Sequence, residues 1–183
     1  MNRCRWVNPN NPIYIKYHDE EWGRPCHNDH DLFELLILES FQAGLSWECV
    51  LNKREAFRKA YDNFDVLKVS QYGEEKKEEL MNNRDIVRNR LKIKASIENA
   101  KIFIRIQKEF GSFDQYIWSF SHGKRFVRTS DKVVASNELS DQISKDLSKR
   151  GMKFVGTVII YSYLQAIGIL QDHDLNCDLH SSI

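Results

Sequence analysis

A chain of 183 residues, 42% apolar and 29% charged, with 8 Gly and 3 Pro, has the make-up of a folded protein and excludes collagen-like, low-complexity and wholly disordered classes. The net charge is +1, from 27 basic and 26 acidic residues, so bulk charge gives no attraction for nucleic acid. Mean hydropathy is −0.54, and the longest apolar runs, such as 155–161, are too short to span a bilayer.

The N-terminus, Met1 to Trp6, has no apolar stretch and reads as lacking a secretory signal. The four Cys then read as reduced thiols or metal ligands, and the protein is placed in the cytosol as a single domain over residues 1–183, monomeric and without a membrane partner. The first thirty residues hold all three Pro and read as irregular. Asp31 and Glu34 have capping-box spacing and open an apolar run through Leu38. Ser46 caps a helix expected to run through Val50, Leu51 and Phe57, and Asp65 precedes a short one at Val66, Leu67 and Val69. Ile93, Ile97, Ala100 and Ile104 share one face of a long helix that Gly111 can end. Ser112 and Gln115 form a second capping-box candidate before Tyr116, Ile117 and Phe120. Leu139, Ile143 and Leu147 recur every fourth residue before Gly151. Residues 157–166 are apolar almost all round. Their β-branched side chains allow a strand, but length and the following Gly168 favour a central helix. No hairpin turn signal or repeat is present, so the fold reads as all-α.

Charge is segregated along the chain. Residues 84–108 carry eight basic side chains, among them Arg88, Arg90 and Lys92, against Asp85 and Glu98, a local +6. Lys145, Lys149, Arg150 and Lys153 against Asp146 give +3. Such clusters permit a phosphate-binding face on a nearly neutral protein, although a solvated helix surface explains them equally well.

Three groups of residues suggest chemistry. Tyr14, Tyr17, Trp22 and Trp47, with Glu39 and Gln42 near in sequence, are either packing or a pocket for a flat, electron-poor ligand. If buried, Glu39 needs a partner that such a ligand can supply. Gly151 and Gly156 bracket a turn between two helices, flanked by Lys149, Arg150 and Lys153; its backbone N–H groups can face a phosphate. His173 and Cys177 are four apart, which on a helix places them on one face and suits two ligands of one Zn²⁺, with Cys4 and His18 available to complete a set. The remaining Cys and His residues show no comparable pairing.

Seven blocks in order carry a resemblance over nearly the whole chain, Cys4 to Cys177. They begin at Arg3, Tyr17, Leu38, Ile86, Lys149, Tyr161 and Asp172, and together the sequence resembles the DNA-3-methyladenine glycosylase I family. The resemblance implies an all-α helix-hairpin-helix fold and monofunctional excision of 3-methyladenine from alkylated double-stranded DNA, the first step of base excision repair. It also implies a structural zinc on Cys4, His18, His173 and Cys177, joining the N- and C-terminal segments. Glu39 is then the pocket carboxylate and catalytic residue, with Trp22 and Trp47 around the base and Tyr14 and Tyr17 nearby. Asp172 is a second choice by its place after the hairpin. Phosphate contacts fall to Arg88, Arg90, Lys149, Gly151, Lys153 and Gly156, and Leu45 is either core or a wedge that fills the gap left by an extruded base. A helix-hairpin-helix DNA-binding module without catalysis is the alternative reading, and a zinc-stapled binder of a small cation is a third.

Overall fold

The computed structural model describes residues 1–180. Its elements are α1 (Pro12–Glu20), α2 (Asp29–Gln42), α3 (Trp47–Leu51), α4 (Arg54–Ala60), a single 3-10 turn (Asp62–Phe64), α5 (Val66–Ser70), α6 (Glu74–Asn82), α7 (Arg90–Phe110), α8 (Phe113–Ser119), β1 (Phe126–Val127), α9 (Glu138–Lys149), α10 (Thr157–Ala166) and β2 (Leu170–Gln171). Helix α2 is the central rod. Leu32, Phe33, Leu36, Ile37, Leu38 and Phe41 are all fully enclosed, because α3, α7, α8 and α10 cover it on different sides. Full burial of each such side chain contributes roughly 1.5–3 kcal/mol. Helix α10 packs against α2 and α9, which explains why its sequence is apolar all round.

Helix α7 matches its sequence pattern. Asn89 caps it, Ile93, Ile97 and Ala100 are buried, and Gly111 ends it at φ +93°. Ile104, expected on the same face, is only half-buried, while its neighbour Phe103 is fully enclosed. Ser46, Asp65 and Ser112 each cap the helix expected of them.

Several expectations are corrected. The N-terminal segment holds α1, whose start is marked by Asn11 as cap and Pro12 in the first turn. Helix α2 is capped by Asn28, not Asp31, and Glu34 turns inward to Arg54 and Arg58 instead of closing a capping box. The helix from Ser46 stops at Leu51 and a new one begins at Arg54. The true capping box pairs Asn137 with Ser140. The glutamate-rich stretch from Glu74 forms α6, held by i,i+3 ion pairs such as Lys77–Glu74 at 2.7 Å. A parallel pair, Phe126 beside Leu170 and Val127 beside Gln171, is strand where none was expected; two residues are too few for alternation to register.

A tight crossing near the site fixes the segment after α10. Arg125 donates to the carbonyls of Gly168 (2.9 Å) and Gly23 (2.6 Å), and the Cys26 amide donates to Ile167. Gly168 lies at φ +76°, and a Cβ there would collide with the Arg24 carbonyl carbon and oxygen. Gly168→Ala combines left-handed strain with a backbone clash. Thermal denaturation is expected to show a loss of about 3 kcal/mol or more; a change below about 0.5 kcal/mol would mean that the crossing is loose.

Candidate active site and a buried cysteine–histidine cluster

A cavity of about 550 Å³ opens between α1, α2, the start of α3 and the segment after α10. Helix α1 supplies Tyr14 and Tyr17, three residues apart on one face, and both rings are buried. The Tyr17 and Trp47 rings lie 5.3 Å apart at 48°, and Trp22 and Glu39 also line the wall. Gln42 lines it too, so the structure brings together the six residues singled out in the sequence as a pocket. It adds Trp6, whose ring lies 5.2 Å from Tyr14 and 4.9 Å from Trp22, and Arg128 and Gln165.

Glu39 is 3% exposed and has no hydrogen-bond or ion-pair partner among the described residues. Burial pushes its carboxyl up to about 8. The Trp47 indole N–H is likewise buried and unpartnered. So is Arg128 Nη2, on another lining residue, and the lining thus holds an unmet acceptor and unmet donors beside aromatic rings, which a planar ligand with both functions on its edge can satisfy.

Asp172 lines the same cavity in a different state. Tyr161 donates to its carboxylate at 3.0 Å and Gln165 at 2.5 Å, and Arg128 lies 4.0 Å away. The short strand pair positions this wall, since the Arg128 amide donates to Gln171. Arg128 also reaches Asp174 at 3.1 Å, and Arg5 grips Asp174 from outside. Asp172 is therefore a satisfied carboxylate and Glu39 an unsatisfied one.

Beside the cavity, Cys4, His18, His173 and Cys177 converge, all buried, with their ligand atoms within 4.8 Å of one another. Cys4 Sγ lies 3.4 Å from His173 Nδ1, and Cys177 Sγ lies 3.6 Å from His18 Nε2 and 3.9 Å from His173 Nδ1. The edges of a tetrahedron with zinc–nitrogen and zinc–sulfur bonds of about 2.0–2.3 Å fall in this range, so the set fits a four-coordinate metal. The other His18 nitrogen contacts Asp19 at 2.7 Å, and Arg3 holds Asp19 with two nitrogens. Such a carboxylate fixes the orientation of a ligating imidazole. Burial, reinforced by the neighbouring Cys177, pushes the Cys4 thiol up to about 12, and burial, reinforced by the neighbouring His18, holds the His173 imidazole down to about 4. The neutral imidazole is ready to ligate, while a thiolate here calls for a cation. The sequence reading had His173 and Cys177 on a helix; they lie instead in a turn, closed by the Cys177 amide on Asp174 at 2.8 Å.

The remaining predicted residues divide. Leu45 is 38% exposed, on a turn made by Gly44 at φ +79° and closed by Gln42 donating to the Leu45 carbonyl, so it is not core. Gly151, at φ +104°, ends α9 in a Schellman arrangement, with the Met152 amide on Leu147 and the Gly151 amide on Ser148. Gly156 begins α10, whose first amides have no side-chain cap. Arg88, Lys149 and Lys153 are exposed and outside any ion pair among the described residues, whereas Arg90 pairs with Glu78 at 2.7 Å and Arg150 with Glu109 and Asp146. Of the +3 cluster beside the hairpin, one cation is thus already neutralised.

A helical fold with a two-helix hairpin and an aromatic, carboxylate-bearing cavity has the layout of the DNA glycosylases that take a base out of the helix. The comparisons narrow this class. The family model described as methyladenine glycosylase matches residues 6–181. DNA-3-methyladenine glycosylase 1 of Escherichia coli (strain K12) is 43% identical over 180 residues, covering 97% of this chain and 96% of that protein. A crystal structure of 3-methyladenine DNA glycosylase I superposes with a TM-score of 0.93 at 42% identity, over 97% of this chain and 99% of that one. The Staphylococcus aureus enzyme, whose structure addresses 3-methyladenine recognition, gives 0.90 at 36% identity, over 98% and 97%. The chain belongs to the methyladenine glycosylase family.

The Glu39 carboxyl has a measurable stability signature. It ionises near 4.5 in the unfolded chain and near 8 in the fold. Between those values the native state keeps a proton that the unfolded chain has lost, so the carboxyl lowers stability increasingly as pH rises from 4.5 to 8. Glu39→Gln should melt with wild type near pH 4.5 and exceed it at pH 8 by roughly 3–5 kcal/mol. A pH-independent offset between the two melting curves would rule out a buried, unpaired carboxyl.

Proposed function

We propose that this chain is a monofunctional glycosylase that excises 3-methyladenine from alkylated duplex DNA by hydrolysing the N-glycosidic bond, the opening step of base excision repair. The observation that carries the reading is Glu39, a buried carboxylate with no internal partner, set in a cavity of indole and phenol rings. Methylation at N3 makes the base in DNA cationic and weakens its bond to the sugar. The leaving group therefore needs little protonation. What the pocket supplies is recognition: rings attract the cation that ordinary adenine lacks, by about 2 kcal/mol in a dry site. Glu39 accepts a hydrogen bond from the exocyclic amino group and offsets positive charge developing on the sugar as water attacks. The ionised form of Glu39 becomes favourable once that cation enters.

The DNA reading rests on the exposed turn at Leu45, on the uncapped amides at Gly156, and on the free cations Arg88, Lys149 and Lys153. Leu45 fills the stack where the base leaves, and the hairpin amides and Lys side chains meet phosphates. With its partner Glu78, Arg90 has a weaker claim to a phosphate. The Cys4, His18, His173 and Cys177 set is the structural zinc site. A closed four-ligand shell leaves no position for a reacting water.

Glu39→Gln retains shape and loses charge. Single-turnover excision of 3-methyladenine is expected to fall about ten- to a thousandfold, with affinity for undamaged duplex unchanged. Normal excision by Glu39→Gln together with loss in Asp172→Asn would transfer the catalytic role to Asp172.

For the zinc, purified protein should contain one equivalent by elemental analysis. Cys177→Ala should lose it and unfold at lower temperature, with activity falling only as far as the fold is disturbed. Metal-free protein with wild-type melting would end the assignment.

A further inference from the structure

Of the three buried polar side chains on helix α7, Ser96 bonds Tyr61 and the Ile93 carbonyl within the core, while Lys92 and Asn99, seven residues apart, lie on the same face about 10 Å from each other. Neither lines the cavity. Lys92 Nζ donates to the Phe41 carbonyl at 2.8 Å and to the Ala43 carbonyl at 2.5 Å, the last turn of α2 and the residue that leads into Gly44 and Leu45. The same ammonium stands 6.0 Å from the ring centre of Phe154, inside the hairpin, where φ is +55°. Asn99 donates to the Lys153 carbonyl at 2.9 Å and accepts from the Lys153 amide at 2.9 Å, again inside the hairpin.

The choice of residue at 92 needs a reason. A Met or Leu there would pack without removing a charge from water, and among the described residues Lys92 has no carboxylate partner. What an ammonium adds is direction. It meets the negative end of α2 and two carbonyls that the helix leaves unpaired, and it fixes where the following turn begins. Asn99 does the same for the hairpin, with both of its amide functions on one backbone unit. One rigid helix thus holds both elements that the proposed DNA interface uses.

We infer that Lys92 and Asn99 are positioning residues for base extrusion: they set the distance between the Leu45 turn and the Gly151–Gly156 hairpin, so that the duplex is gripped by its phosphates and wedged at its stack in one register. This rests on the proposed function, in which both elements face DNA. The role differs from that of Glu39 in its consequence. Loss of the bracket misplaces the duplex and leaves the base pocket intact, because Lys92 and Asn99 touch no pocket residue's ring or carboxylate.

The test uses the full chain with Lys92→Met, Lys92→Arg, Leu45→Ala and wild type. Three quantities are read: single-turnover excision from methylated duplex, affinity for free 3-methyladenine by tryptophan fluorescence, and melting temperature. Lys92→Met is expected to lose about ten- to a hundredfold in excision, as small misplacements of a reacting centre do. Its affinity for the free base should stay within about twofold, and Lys92→Arg, which also donates to two carbonyls, should recover most of the excision. Excision by Lys92→Met within about twofold of wild type overturns the inference, as does a parallel loss of free-base affinity, which would mark a general defect of the fold. If Leu45→Ala is impaired and Lys92→Met is not, the DNA reading stands and the bracket alone fails. If Leu45→Ala excises normally while Lys92→Met does not, the turn is no DNA element and the inference falls together with that reading.

Discussion

The rest of this structure is arranged around one costly placement, the Glu39 carboxyl in the interior with nothing to pair it. Helix α2 has to serve as the core rod, enclosed on all sides, and to present an acid to a cavity from its last turn. The neighbouring features keep that carboxyl unpaired. The aromatic walls keep water and competing donors away, Arg128 is held off by Asp172 and Asp174, and Lys92 spends its charge on the end of α2 and not on Glu39. On the proposed function, an arginine or lysine beside Glu39 would relieve this strain and remove the preference for a cationic guest. Here selectivity and instability share one physical cause.

Helix α1 is what makes the pocket and the cysteine–histidine cluster a single unit. Tyr14 and Tyr17 face the cavity while His18, one residue on, faces the cluster. Trp22 serves both sides: it lines the cavity and lies edge-on to His173 at 4.7 Å. A nine-residue helix with a small buried face is too short to be stable alone, and it packs mainly on α3. Its position depends on its ends: Asn11 bonded to Glu48 and Asn52 at one, and the cluster at the other.

Much of the fold was legible in the sequence because helices with one apolar face declare themselves by period, as α7 and α9 do, and α10, apolar almost all round, by its length and the Gly168 after it. The family resemblance supplied the rest of the site, since nothing in spacing alone could join Cys4 to Cys177. What escaped had local causes. Helix α1 hid behind Pro12, which reads as a breaker in isolation and as a helix start once Asn11 is taken as its cap. Glu34 satisfied a capping-box spacing but was drawn inward by two arginines 20 and 24 residues away, a tertiary pairing without local trace. Arg128 stands in an irregular stretch, and its role comes from a two-residue strand pair too short to leave a pattern. The His173–Cys177 spacing pointed to two residues that do converge, but in a turn in place of a helix.

The meeting of the two ends of the chain has a consequence for how the protein is made. Asn2 bonds the Asp178 carboxylate and the Asn176 carbonyl, Arg5 grips Asp174, and Cys4 and His18 face His173 and Cys177. These contacts span more than 150 residues, and closing such a loop costs about 4–5 kcal/mol of chain entropy before any contact compensates for it. On a ribosome, α2 and α7 can emerge and pair early, but residues 173–177 are still in the exit tunnel. Until they leave it, α1 lacks its second anchor and the pocket lacks a wall. The protein is therefore assembled core first and cavity last, and a truncated or stalled chain would carry the central helices without a finished pocket.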